Sequence, residues 1–173
     1  MSPFPQLHIA IACPRRYPLD RRRVRRVVGT IMADAGVQYG ELSLAVVDDA
    51  QMYQLNSRYL EHNYTTDVLS FRLDEGQHPG WLDGEVIACG DTARREAERI
   101  GWGVADELLL YFIHGCLHLV GYEDADPAQR RRMRRAECYY LGQVDPALAE
   151  RHAETNRLGK RYIAQLTPPR SIR

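Results

Sequence analysis

Apolar residues along the chain follow two spacings, one typical of strands and one typical of helices. Short apolar or alternating segments bounded by turn residues predict four β-strands. Longer segments with apolar residues three and four positions apart predict five helices between and after them. The predicted strands cover residues 6–12, 41–47, 68–73 and 85–89. The predicted helices cover residues 19–35, 48–59, 91–100, 106–120 and 127–141.

Because strands and helices interleave, the sequence predicts an α+β fold, with helices packed on a mixed sheet of about four strands. A chain of 173 residues is long enough to bury a core, and we predict a single domain over residues 1–173. The helix at 106–120 is apolar nearly all round, so it is predicted to be central and buried. The segment after Val144 is polar and predicts a C-terminal extension over residues 145–173 with a frayed end.

Charge and cysteine content narrow the class of protein. Basic and acidic residues both number 23, so net charge indicates neither DNA nor a membrane as a partner. The four cysteines are scattered without a CxxC pair, which is typical of free thiols in a reducing compartment. The N-terminus lacks the order of a signal peptide, and no segment approaches the roughly 20 apolar residues of a membrane span. We therefore expect a cytoplasmic protein.

The basic residues are almost all arginines, and they cluster. Lys160 is the single lysine, seven arginines lie within residues 15–26, and five lie within residues 130–135. Guanidinium groups grouped on one helix face are typical of RNA-binding surfaces. The same pattern also fits a solvated helix face in an arginine-rich proteome. The sequence leaves both interpretations open.

Two histidines interrupt the apolar helix. His114 and His118 are four residues apart, which places both rings on one helix face about 6 Å apart along the axis. Two buried imidazoles without partners would cost about 1–3 kcal/mol each. Zn²⁺ binds such a pair at about 2.0–2.1 Å. The pair therefore predicts metal ligation, the alternative being two core histidines bonded to carboxylates or backbone.

A third ligand must come from outside the helix. Gly121 is placed to end the helix in the left-handed conformation and to return the chain across its last turn. Glu123, Asp124 and Asp126 follow, and any of them can supply an oxygen ligand. Asp126 also fits the N-cap of the next helix, because Pro127 comes directly after it. Two histidines and one carboxylate leave coordination positions open, as in hydrolytic sites.

Residues 55–71, 84–89 and 114–124 carry three motifs that together resemble those of the YbeY family. Residues 114–124, HGCLHLVGYED, match the signature H-G-x-L-H-L-x-G-Y-D-H. Residues 55–71, LNSRYLEHNYTTDVLSF, match its L-N-x-x-Y-R and T-D-V-L-S-F blocks, and GEVIAC at 84–89 is similar to its G-D-I-x-I-C strand. The order of elements fits over roughly residues 6–142. The resemblance implies a zinc-dependent single-strand endoribonuclease of ribosomal RNA maturation and ribosome quality control, with the small ribosomal subunit as partner.

The chain departs from the family pattern at three positions. The resemblance implies a histidine as third ligand, and this chain has Asp124 there, giving the set His114, His118 and Asp124. Aspartate ligates zinc at about 2.0–2.2 Å. An arginine that the family is thought to use on RNA is replaced by Leu60, and Arg72 stands where proline is common.

Metal-assisted hydrolysis of RNA phosphodiester bonds is the reaction that these residues predict. Catalytic candidates besides the two histidines are Ser70 and Arg58, with Asp67 and His62 as further groups to orient substrate or move protons. Ser70 and Asp67 can instead fix the strand and the loop that enters it. A zincin peptidase would need a glutamate directly after the first histidine, and this chain has Gly115.

Two rival functions stay open. A ribosome-associated RNA-binding factor with a structural metal fits the loss of the family arginine at Leu60, and a fourth protein ligand would support it. A hydrolase of small phosphate or amide compounds fits a narrow cleft without a basic rim.

Overall fold

A single four-stranded sheet organises the protein, whose computed structural model describes residues 6–59, 66–76 and 78–156. This part of the chain contains four strands and six helices. The elements are β1 (Gln6–Ala12), α1 (Arg21–Asp34), β2 (Tyr39–Val47), α2 (Asp49–Tyr59), β3 (Val68–Arg72), β4 (Gly84–Cys89), α3 (Gly90–Ile100), α4 (Val104–Leu119), α5 (Pro127–Gly142) and α6 (Pro146–Thr155).

The sheet is mixed, with the strand order β1-β2-β4-β3. β1 is parallel to β2, and β2 is parallel to β4. β3 is antiparallel to β4 and forms one edge, with Val68 opposite Ala88 and Ser70 opposite Val86. The predicted α+β class and the four-stranded mixed sheet are confirmed.

Helices cover the two faces of the sheet unequally. On one face, Met52 of α2 packs with Leu69 of β3 and Ile87 of β4. On the other face, α1 and α4 bury the main core, in which Val28, Leu44 and Phe112 are fully enclosed. Successive residues of a strand point to opposite faces. Ser70 therefore faces α4, whereas its neighbours Leu69 and Phe71 face α2.

The helix α4 is the central element of the fold, as predicted. It contacts α1, α3, α5, β3 and β4, and eleven of its sixteen residues are buried. Among the described helices, none alone is long and apolar enough to cross a membrane. The pair α3 and α4 passes that test of length and composition together, with a bend of 117° between the two helices.

The predicted C-terminal extension over residues 145–173 contains a helix that the sequence did not predict. Residues 146–155 form α6, which packs on α5 and buries Leu148, Ala149, His152 and Ala153. Asp145 caps this helix by accepting a hydrogen bond from the backbone N–H of Ala147. Two alanines and a histidine give a weak apolar stripe, and the sequence therefore did not reveal the helix. The predicted frayed end falls on residues 157–173, which lie outside the described residues.

Close packing of α4 on the sheet depends on Gly115. A Cβ at this position would collide with Cγ1 of Val86 and would lie 2.8 Å from Oγ of Ser70. Gly29, inside α1, has no heavy atom within 4 Å of the same position. The two glycines therefore form a matched pair, one crowded and one open.

We expect Gly115→Ala to lower the free energy of unfolding and Gly29→Ala to raise it. Alanine in a helix gains about 1 kcal/mol over glycine, but overpacking at Gly115 costs about 1–3 kcal/mol. The expected net change is a loss of up to about 2 kcal/mol for Gly115→Ala. Urea denaturation of both variants measures it. Equal stabilisation by both substitutions would contradict the tight contact.

Candidate metal centre

Two imidazole nitrogens converge on the exposed side of α4. The Nε2 atoms of His114 and His118 are 3.0 Å apart, and their ring centroids are 4.6 Å apart. Their side chains keep 17% and 26% of their exposure, in a helix whose other residues are mostly buried. The four-residue spacing thus places both rings at one point, as predicted.

The turn after α4 brings a carboxylate to the same point. Gly121 has φ of 98°, and the N–H of Tyr122 donates to the carbonyl of Leu117 at 3.0 Å. The chain thereby folds back over the last turn of the helix. Oδ2 of Asp124 lies 3.6 Å from Nε2 of His114 and 3.8 Å from Nε2 of His118. The three donor atoms lie within 4.8 Å of one another.

The far side of each ring fixes which nitrogen faces this point. Nδ1 of His118 lies 2.9 Å from the carbonyl oxygen of Tyr122. Nδ1 of His114 lies 2.7 Å from Oε1 of Glu137. Both partners are acceptors, so each Nδ1 carries a proton, and in the neutral ring each Nε2 presents a lone pair. Metal-binding histidines are typically held in this way by a carbonyl or a carboxylate.

The donor set fits a zinc-type ion. Two Nε2 atoms 3.0 Å apart need either a shared proton or a metal cation between them. Tetrahedral ligands at about 2.0–2.1 Å from zinc are separated by roughly 3.3–3.4 Å, close to the three separations in the cluster. We call His114, His118 and Asp124 the metal cluster.

Glu137 supports the cluster from within the protein. This carboxylate is fully buried, and Oε2 lies 2.6 Å from Nε2 of His152 and 2.9 Å from Nη1 of Arg134. Burial raises the pKa of Glu137, but the hydrogen bonds from His114 and His152 and the charge of Arg134 outweigh it and hold the pKa well below its usual range. Burial likewise opposes the charged ring of His114, yet Glu137 raises the pKa of that ring.

Two cavities meet at the metal cluster. The first, which we call the β3 cavity, has a volume of about 490 Å³ and runs along residues 66–72 beside His114 and His118. The second, which we call the helical cavity, has a volume of about 460 Å³ and lies among α3, α4, α5 and α6. His114, Asp124 and Asp67 line both. A bound ion would therefore be accessible from two sides.

The sequence model of the family described as Endoribonuclease YbeY matches residues 16–145. The chain belongs to the YbeY endoribonuclease family. A Salinibacter ruber protein named Endoribonuclease YbeY is 39% identical over 135 residues, covering 75% of this chain and 86% of that protein. A Syntrophus aciditrophicus protein of the same name is 37% identical over 143 residues, covering 78% and 89%. The solution structure of a Thermotoga maritima protein matches 87% of this chain and 91% of that one, with TM-score 0.49 and 19% identity.

In this YbeY-family chain, some of the other predicted site residues lie near the metal cluster and some do not. Ser70 and Asp67 line the β3 cavity. The Ser70 hydroxyl donates to the carbonyl of Gly115 at 3.0 Å, so it ties the edge strand to α4. Arg58 is not brought to the cluster: it lies in the last turn of α2, on the opposite face of the sheet, over the ring of Tyr59. His62 and Leu60 lie outside the described residues.

Several arginines of the two runs form ion pairs or hydrogen bonds within the protein. Arg23 lies 3.0 Å from Asp106, and Arg16 lies 2.9 Å from Asp48. Nη1 of Arg130 donates to the carbonyls of Asp124 and Ala125 at 3.1 and 2.9 Å. Arg130 therefore fixes the turn that carries the third member of the cluster. An RNA-binding role for either run stays a prediction.

Sequence reasoning missed Glu137 and His152. Glu137 occupies the apolar stripe of α5 together with Met133, Ala136 and Tyr140, which are all buried. A glutamate in such a stripe needs a buried partner, because an unpaired buried charge is strongly unfavourable. The place of Glu137 within an apolar stripe was therefore the signal in the sequence that it has a buried partner. His152 carried no comparable signal, because α6 itself was not predicted.

The three acids after α4 are expected to differ in their effect on metal binding. Asp124→Ala should lose the ion, whereas Asp124→His should keep it, because histidine restores a donor. Glu123→Ala should keep the ion, since Glu123 is exposed and outside the cluster. Asp126→Ala should also keep it but lose about 1 kcal/mol of stability, because Asp126 caps α5. Metal content and urea denaturation of the four variants test this assignment, and metal loss in Glu123→Ala would contradict it.

Proposed function

We propose that this chain is a zinc-dependent endoribonuclease that hydrolyses single-stranded segments of ribosomal RNA in the cytoplasm, during maturation and quality control of the small ribosomal subunit. His114, His118 and Asp124 would hold the ion. Support for RNA cleavage comes from the family and from relatives named as endoribonucleases. The observation that carries the metal dependence is the convergence of two Nε2 lone pairs beside the Asp124 carboxylate.

A bound divalent ion supplies Lewis acidity, which polarises a phosphoryl oxygen and makes water a better nucleophile at neutral pH. The chain's own groups would hold the ion and orient its ligands. Glu137 fixes the ring of His114, and the turn at Gly121 presents Asp124. Asp67 lines both cavities and is exposed, so we assign it as the candidate acceptor for the proton of the attacking water.

The open position of the cluster favours catalysis over a purely structural ion. Within the described ranges the cluster has three protein donors, and structural zinc sites typically have four. Two cavities reach the same point, which gives a substrate access. A zincin-type peptidase is disfavoured, because the residue after His114 is pressed against the sheet and has no room for a glutamate.

Metal analysis and RNA cleavage on the same samples of the purified full chain test the proposal. We expect about one zinc ion per chain and cleavage of a single-stranded fragment of small-subunit ribosomal RNA. Removal of the ion with a chelator should stop cleavage, and added Zn²⁺ should restore it. Cleavage that survives complete metal removal would overturn the metal dependence. A metal-loaded chain that binds but does not cleave RNA would favour the RNA-binding factor.

A further inference from the structure

The helical cavity places a ligand-sized space directly beside the metal cluster. Its volume of about 460 Å³ lies within the range of roughly 300–1,000 Å³ that small-molecule sites occupy. Its walls come from α3, the loop at Trp102, α4, α5 and α6. His114 and Asp124 belong to its lining. A group bound in this cavity therefore lies next to any phosphate held at the cluster.

Trp102 gives the cavity a fixed aromatic wall. Its indole Nε1 donates to Oε2 of Glu107 at 2.6 Å, and Glu107 is only 5% exposed. The ring is thus held in one orientation while it keeps part of its surface open. Ile100 and Leu110 add apolar surface to the same cavity. Immobilised aromatic rings of this kind are the surfaces on which single-stranded RNA stacks its bases.

Arg134 gives the cavity a cation with free donors. It donates to Glu137 through Nη1 alone, at 3.1 and 2.9 Å from the two carboxylate oxygens. In the part of the chain that the structure describes, Nε and Nη2 of Arg134 have no hydrogen-bond partner. A guanidinium with two such donors can bind phosphate oxygens. The ion pair with Glu137 holds the group beside His114.

Three of the five described acids that line the cavity, Glu96, Glu107 and Glu137, have partners inside the protein. Asp124 belongs to the metal cluster, and Asp67 is exposed. Nε and Nη2 of Arg99 donate to Oε2 of Glu96 at 2.9 and 2.7 Å. Glu137 is engaged by the three donors described above. Glu107 accepts the hydrogen bond of the Trp102 indole at 2.6 Å, and burial raises its pKa. Repulsion of a phosphate by the lining is therefore weaker than the number of carboxylates indicates.

The β3 cavity has no equivalent pair of groups. Its arginine, Arg72, uses both arms of its guanidinium on Asp74, with two distances of 3.0 Å. Besides the two histidines, its described lining contains one aromatic ring, Phe71, which already packs against Tyr59 at a centroid distance of 5.4 Å. An RNA strand across the cluster has a neighbouring nucleotide on either side. The helical cavity is the better equipped of the two to hold one.

We propose that the helical cavity binds the nucleotide next to the reacting phosphate, with Arg134 on its phosphate and the Trp102 ring against its base. The inference rests on the proposed ribonuclease function and adds the residues that hold the substrate. It assigns Arg134 and Trp102 as substrate-binding residues. It also gives α6, which closes the cavity, a part in building the site.

Tryptophan fluorescence tests the stacking directly. The chain has two tryptophans, and Trp81 lies outside this cavity, so Trp81→Phe leaves Trp102 as the only reporter. Single-stranded hexaadenylate RNA is titrated into the chelator-treated full chain, in which the proposed metal-dependent cleavage does not occur. We expect saturable quenching. Binding of labelled hexaadenylate by anisotropy without quenching, or no binding at all, would overturn the inference.

Substitutions at Arg134 test the phosphate contact in the same assay. Arg134→Ala should weaken hexaadenylate binding by roughly 10- to 100-fold and lower the slope of log affinity against log salt by about 0.7. Arg134→Lys keeps the ion pair with Glu137 and should give an intermediate affinity, which keeps the test valid if the alanine variant unfolds. Arg94, exposed on α3 and outside both cavities and both arginine runs, is the matched control and should bind normally as alanine. Unchanged affinity in folded Arg134→Lys and Arg134→Ala would overturn the assignment.

Substitutions at Trp102 separate stacking from mere loss of the Glu107 bond. Trp102→Phe and Trp102→Leu both remove the indole N–H, but only phenylalanine keeps a ring. Anisotropy should show near-normal binding for Trp102→Phe and a loss of roughly 5- to 100-fold for Trp102→Leu. Equal losses would contradict stacking. All these measurements are made without cleavage, so a failure of the ribonuclease proposal would appear separately, as metal-loaded wild type that leaves RNA intact.

Discussion

Replacing His118 by alanine is expected to remove the metal ion and RNA cleavage while the fold stays intact. One of three donors is lost, and the remaining pair leaves the ion exchangeable with solvent. We expect metal content to fall from about one ion per chain to below about 0.1, and cleavage to slow by at least about 100-fold. Elemental analysis and cleavage of single-stranded RNA on the same preparations measure both.

His118 is the better test position of the two histidines. Within the described ranges, Nδ1 of His118 contacts the carbonyl of Tyr122 alone, and water can satisfy this carbonyl after the substitution. His114 contacts the buried carboxylate of Glu137, so its loss would also destabilise the fold. His78 is exposed and lies outside both cavities at the cluster, and His78→Ala should behave as wild type. Equal cleavage by wild type and His118→Ala would remove the catalytic hypothesis.

The parts of the fold that the sequence predicted are those with a strong local apolar pattern. The apolar residues predicted for the buried face of α1 each keep at most 1% of their exposure. They are Val24, Val27, Val28, Ile31 and Met32. This pattern depends only on the helical repeat, so it is readable without tertiary information. The strand order was not readable, because β4 pairs with β2 and β3 through contacts between distant segments. Nor was α6, whose buried stripe contains two alanines and a histidine.

The metal cluster, too, was predictable from the sequence only in part. A helix places residues four apart on one face whatever the rest of the fold does, so His114 and His118 were predictable. The choice among Glu123, Asp124 and Asp126 depends on the backbone of the turn after Gly121, and the sequence left it open. Their spacing from the two histidines along the sequence favours none of the three acids as the ligand. The positive φ of Gly121 and the bonds from Arg130 are what bring Asp124 to the histidines.

Glu137 is expected to give the largest stability effect of any single polar residue in the described core. Glu137→Gln keeps the shape of the side chain but removes its charge. The carboxylate accepts hydrogen bonds from His114, His152 and Arg134, and an amide turns an NH₂ group toward at least one of these donors. Breaking a buried ion pair in this way costs about 3–5 kcal/mol. Metal affinity should also fall by roughly 10- to 100-fold, because the ring of His114 loses its support.

The same residue predicts how stability depends on pH in the metal-free protein. The pKa of Glu137 in the folded state lies well below its ordinary value of 4.5, so the unfolded chain binds that proton more tightly. The stabilisation is therefore complete above about pH 4.5 and is lost as the pH falls from there toward the folded pKa. Glu137→Gln has no such proton to bind, and its stability should decline less on acidification.

Urea denaturation of chelator-treated wild type and Glu137→Gln between about pH 3 and pH 7 measures both effects. Glu150→Gln is the matched control, because Glu150 is exposed on α6 and its substitution should change the free energy of unfolding by less than about 0.5 kcal/mol. The difference between wild type and Glu137→Gln should be largest near neutral pH and should shrink as the solution becomes acidic. A constant difference across that range would mean that the stability of the fold does not depend on the charge of Glu137. The carboxylate would then act on His114 through its shape and hydrogen bonding alone.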